Sequence, residues 1–81
     1  MKKNLIKIKK VISNYLNGLN EESIKTLFYY FKGYPKTGYI DLYNLMDEEI
    51  ADCIYENNLT DYAEVLVKQL YYSNKLSKII K

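Results

Sequence analysis

The 81-residue chain has no arginine, histidine or tryptophan, and it has only one cysteine, one proline and three glycines. Without histidine, the usual general acid or base near neutral pH is missing. Zinc sites of the cysteine–histidine kind cannot be assembled either. One cysteine forms no internal disulfide. Cys53 falls beside Ile50 and Ile54 on the apolar side of a predicted helix, where a free thiol behaves as a small hydrophobe. A reactive thiol needs a nearby base or cation to lower its pKa. The longest apolar runs are a few residues, far short of the ~20 that span a bilayer. Lys7, Lys9 and Lys10 interrupt any signal-peptide-like apolar stretch. The expectation is an intracellular, cytoplasmic protein that is not an enzyme and needs no metal or cofactor.

What is present describes a small folded domain. Hydrophobic residues make up 48% and charged residues 27%, a globular rather than a disordered balance. The length suits one domain over residues 1–81, with a core small enough to be marginal. Lysine, asparagine, isoleucine and tyrosine dominate. All four have AT-rich codons, so codon bias accounts for part of the excess of tyrosine.

Four helical segments can be drawn from the spacing of apolar residues. The first, Lys3 to Asn17, gathers Leu5, Ile8, Ile12, Tyr15 and Leu16 with Leu19 on one arc, with lysines opposite. Gly18 is placed to end it as a left-handed residue. Asn20 can cap the second, Glu21 to Lys32, with Glu21 and Glu22 in its positive first turn. That helix buries Ile24, Leu27, Phe28 and Phe31, and it ends at Gly33 and Pro35. The third spans Asp41 to Asn57. It places Leu42, Tyr43, Met46, Ile50, Cys53 and Ile54 on one arc if continuous, but Asp47-Glu48-Glu49 is also a helix start, so a break there is open. Asn57-Asn58 marks its stop. The fourth begins near Thr60 or Asp61, and Asp61 with Glu64 has capping-box spacing. Its core stripe is Leu59, Ala63, Leu66, Val67 and Leu70. Leu16, Phe28, Phe31, Ile50, Ile54, Leu66 and Leu70 are the predicted central core. The fold class is therefore all-α, a bundle of about four helices. Thr37 to Ile40 leaves room for a short extended pair.

A second stripe runs along the last helix. Val65, Gln69, Tyr72, Leu76 and Ile79 follow a 4-3-4-3 spacing, that of a coiled-coil seam. Either they cover another helix of the same bundle or they form an oligomer seam, with a homodimer as the simplest case.

The segment 33–44 echoes a calcium-binding loop in Gly38 and Ile40. Its ligand positions, however, hold Gly33, Pro35, Thr37, Asp41 and Asn44. One carboxylate does not offset calcium dehydration, so the stretch reads as a turn.

Charge is segregated along the chain. The first 40 residues carry eight lysines against two acids. From Asp41 to Glu64 there are eight acids and no base, and four lysines follow. Glu48, Glu49, Asp52 and Glu56 lie on the outer face of the third segment, edged by Tyr39, Tyr55 and Tyr62. Tyrosine suits interfaces because its ring buries area while its hydroxyl stays paired. The leading expectation is a protein-interaction module whose acidic, tyrosine-bearing surface occupies a basic groove on a partner protein. Small size, AT-rich codons and no enzyme chemistry suit a phage or mobile-element inhibitor of a host factor, including the anti-CRISPR type. The alternative is nucleic-acid binding through Lys3, Lys7 and Lys10, with tyrosines stacking on bases. Against it stand the absence of arginine and a last helix that begins like a helix-turn-helix but lacks the glycine turn and a basic recognition helix. A third expectation, a bacteriocin-immunity function, rests on size and helical class without a specific motif. Membrane association is weaker, because the first helix lacks exposed bulky anchors.

Overall fold

The computed structural model describes residues 5–33 and 41–80, with side chains through residue 76. Its helices are α1 (Leu5–Asn17), α2 (Glu21–Phe31), α3 (Leu42–Leu45), α4 (Glu48–Glu56) and α5 (Thr60–Ile80). No strand occurs among the described residues. The chain is an all-α bundle, as the apolar spacing predicts. The expected turn around Pro35 and Gly38 and the extended pair at Thr37 to Ile40 lie outside the described residues.

Local chemistry explains most helix ends. The Asn20 side chain accepts a hydrogen bond from the Ser23 amide at 2.8 Å and caps α2. At its other end Gly33 sits at φ 96°, and its amide donates to Tyr30 O at 3.0 Å, the left-handed stop that glycine favours. Gly18 behaves differently from expectation. It terminates α1 by donating to Asn14 O and Tyr15 O, but it is not among the positive-φ residues. A tight turn closed by Leu19 donating to Leu16 O makes the reversal without a left-handed residue.

The third segment is broken. Asp41 caps α3 by accepting from the Tyr43 amide at 2.9 Å, and the Asn44 side chain accepts from the Asp41 amide. Met46 is extended. Asp47 then caps α4, accepting from the Glu49 amide at 2.8 Å and the Ile50 amide at 3.3 Å. The Asp47 amide donates in turn to the Tyr15 hydroxyl at 2.9 Å, which fixes the break against α1.

At the end of α4, Asn58 takes φ 55°. Its amide donates to Tyr55 O, and the Leu59 amide donates to Ile54 O at 2.8 Å. This is the Schellman arrangement, with Leu59 and Ile54 both buried as its apolar contact. Leu59 O already accepts from the Ala63 amide, so α5 starts directly from the cap of α4. Asp61 therefore lies inside the first turn, and the Asp61–Glu64 capping box is not used.

The core lies between α2 and α5 on one side and α1, α3 and α4 on the other. Ile12, Leu16, Leu27, Phe28, Leu42, Ala51, Ile54, Ala63 and Val67 are buried at its centre. Of the predicted centre, Leu16, Phe28 and Ile54 hold that position, whereas Phe31, Ile50, Leu66 and Leu70 are half-buried at its edge. Cys53 is also half-buried. Phe28 joins α2 to α5: it stacks on Tyr71 with ring centroids 3.8 Å apart and meets Tyr72 edge-on at 5.5 Å.

Candidate functional site

The acidic surface is built on α4. With Ala51 and Ile54 turned inward, the helical period sends Glu48, Glu49, Asp52 and Glu56 outward, and all four are exposed. Glu64 pairs with Lys68 at 3.0 Å, within α5. No described lysine pairs with the acids of α4, although α1 packs against that helix.

Tyrosines meet at this face, though not all the expected ones. Tyr55 is partly exposed, and its hydroxyl accepts from the Leu42 amide at 3.3 Å. Its ring therefore helps hold α3 on α4. Tyr43 lies 5.3 Å from it, centroid to centroid. The continuous-helix reading places Tyr43 in the core; the structure leaves it exposed, its hydroxyl donating to the Asp52 carboxylate. The break at Asp47 causes the change, because it takes α3 out of phase with α4. That hydrogen bond, followed by burial and the Asp52 charge, pushes the Tyr43 hydroxyl up to about 12. Tyr30, behind Tyr55, is also raised to about 12, first by burial and then by its hydrogen bond with Tyr55. Glu48, Glu49, Asp52 and Glu56 present exposed carboxylates on α4, which can accept hydrogen bonds from cations.

Tyr62 plays another part. Its hydroxyl donates to Lys9 O at 3.3 Å, and Lys9 Nζ lies 5.2 Å from the ring centre. It pins α5 to α1 and is half-buried. Tyr39 lies outside the described residues.

The lysine face of α1 is exposed at Lys7 and Lys10; Lys3 lies outside the described residues. The face is not purely polar. Ile6 is 83% exposed and Val11 is half-exposed, contrary to the expectation that this helix carries no exposed bulky residue. No helix among the described residues is long and apolar enough to cross a membrane.

Among its described residues the second stripe of α5 stays largely uncovered by the bundle, although Tyr72 meets Phe28 of α2 edge-on. Val65, Tyr72 and Leu76 are exposed and line a shallow groove with Lys68, Gln69 and Ser73; the side chain of Ile79 is outside the described set. On the far side of Tyr71, a cleft of about 400 Å³ lies between α2 and α5, bordered by Glu21, Glu22, Lys25, Tyr29, Asn74 and Lys75. Its mixed charge selects no ligand class. The chain matches no protein-family model, and no curated protein or solved structure is significantly similar to it.

Proposed function

We propose that the chain is a non-enzymatic protein-interaction module that docks the outer face of α4 on a basic groove of a partner protein. The observation that carries this reading is the exposure of Glu48, Glu49, Asp52 and Glu56 with no described lysine pairing them. Such a surface attracts a cationic partner at long range and speeds encounter. Tyr43 supplies an exposed ring beside the carboxylates, held in place by its hydrogen bond to Asp52. A ring already fixed loses little rotamer freedom on docking. An inhibitor from a phage or mobile element, acting on a groove that normally holds nucleic acid, is the biological setting this chemistry suits best.

The test is affinity capture with the tagged chain, with and without nuclease, followed by binding assays on the captured partner. Glu49→Lys with Asp52→Lys should weaken binding and reduce its salt sensitivity. The alternative, nucleic-acid binding through Lys7 and Lys10, requires instead that nuclease abolish capture and that Lys7→Glu remove affinity. If the acidic-face variant binds like the wild type, the reading fails.

A further inference from the structure

We infer that α5 forms an antiparallel homodimer with a second copy of this chain through Val65, Gln69, Tyr72 and Leu76. The inference is independent of the α4 reading and uses a different face.

The first support is the pattern. These residues follow the spacing that keeps one seam of a helix facing a neighbour over two turns or more. The bundle provides no such neighbour: Val65 is 52%, Tyr72 52% and Leu76 55% exposed. Their contiguous apolar surface is the kind that marks an interaction site. Tyr72 is also braced from behind, because its ring meets the buried Phe28 edge-on at 5.5 Å. It presents a fixed aromatic face to the groove.

Charge selects the occupant and its direction. From Thr60 to Val67, α5 carries Asp61 and Glu64 and no lysine. From Lys68 onward the chain carries four lysines and no acid. A parallel partner would set lysine-rich half against lysine-rich half. An antiparallel partner sets each lysine-rich half beside the acidic half of the other and opposes the two helix dipoles. It also satisfies the two-fold rule that one patch must complement itself. With the axis between Gln69 and Tyr72, Val65 of each copy faces Leu76 of the other, and the polar Gln69 sits at the centre. Three half-exposed side chains fall well below the ~800 Å² per partner of a stable interface. The dimer is therefore expected to be weak and concentration-dependent.

Sedimentation equilibrium over a range from about 1 µM to about 1 mM tests the association. The mass should rise from the 9.6 kDa of the monomer toward twice that value. Leu76→Lys and, separately, Val65→Lys should each keep the monomer mass across the range with unchanged helical circular dichroism. Orientation is read by disulfide trapping in a Cys53→Ala background. A mixture of Val65→Cys and Leu76→Cys chains should give mainly the mixed 65–76 cross-link. In the antiparallel arrangement two copies of residue 65 are roughly 16 Å apart along the axis, too far to bridge. A wild type that stays monomeric at 1 mM overturns the inference. So does a dimer that survives both lysine substitutions, or one in which 65–65 cross-links predominate.

Discussion

Tyrosine hydroxyls are the residues whose chemistry the fold changes most. Tyr43 and Tyr30 are both raised to about 12 from 10.0, the first mainly by its hydrogen bond to Asp52 and the second mainly by burial. Tyr29 moves in the same direction, first through its hydrogen bond with Tyr71. For each group the folded state holds the proton more tightly than the unfolded chain. The contribution to stability is therefore complete below pH 10 and is lost at higher pH, for Tyr43 and Tyr30 as the pH rises through about 12. Two consequences can be measured by absorbance titration of tyrosinate. The folded protein should show a late-ionising group of tyrosines that is absent in denaturant. Tyr43→Phe should remove one hydroxyl from that group, and Asp52→Asn should bring it earlier; an unchanged late phase in both variants would refute the Tyr43–Asp52 assignment. The sequence does not disclose this pair. Tyr43 and Asp52 are nine positions apart, and in an unbroken helix Tyr43 faces the core. Only the turn at Met46 and Asp47 brings the phenol to the carboxylate. Tyr55 is legible as an acidic-face residue, but its bond to the Leu42 amide is not, since that contact also depends on the turn.

Elements were legible where their ends are written in side chains. Asn20, Asp47, Gly33 and Asn58 each act at a boundary that residue type alone suggests. Gly18 departs from the left-handed expectation because the helix-stopping role of glycine does not specify its φ. The two glycines therefore make a controlled comparison. A Cβ on Gly18 would meet Asn14 O and Tyr15 O at 3.6 Å, an ordinary contact, without positive φ. Gly18→Ala should leave stability unchanged or raise it by up to about 1 kcal/mol by restricting the unfolded chain. Gly33 has open space around it but φ 96°, so Gly33→Ala should cost about 1–2 kcal/mol through backbone strain. Chemical denaturation of the two variants checks the order, and equal effects would contradict the assigned turns. Asp47→Ala should cost about 1 kcal/mol, as loss of a helix cap does. The residues that define the centre of the core were less legible. Ala63 is fully buried where the stripe of the last helix places it; Ala51 is also fully buried, yet its small side chain adds little to an apolar stripe. The break at Asp47 moves the inward face of α4 from Ile50 toward Ala51.

At the scale of the whole molecule, the Cα envelope measures 45 × 30 × 17 Å. Helices are about 10–12 Å across, so the shortest dimension admits two layers with one apolar seam between them. Stability must therefore rest on a few buried side chains, and Phe28, which ties α2 to α5 within one layer, is the clearest. It is 4% exposed and contacts the rings of Tyr71 and Tyr72 on α5. Phe28→Ala should cost about 3–5 kcal/mol, much or all of the stability of so small a domain. The charged surface should behave in the opposite way. Reversing Glu49 and Asp52 removes no ion pair among the described residues, though it does remove the Tyr43–Asp52 hydrogen bond; both partners of that bond are exposed, so its loss costs far less than that of a core ring. Repulsion from the added positive charge is spread over the surface and screened beyond about 8 Å at physiological ionic strength. The same reversal turns an attraction for a basic partner into a repulsion, which should show as slower association more than faster dissociation. Thermal melts and association rates on one set of variants thus separate the two roles. Phe28→Ala should lower the melting temperature steeply. Glu49→Lys/Asp52→Lys should melt near the wild type while associating slowly. A reversal variant that loses its fold would show that these carboxylates support the bundle itself, and the binding role assigned to α4 would then fail.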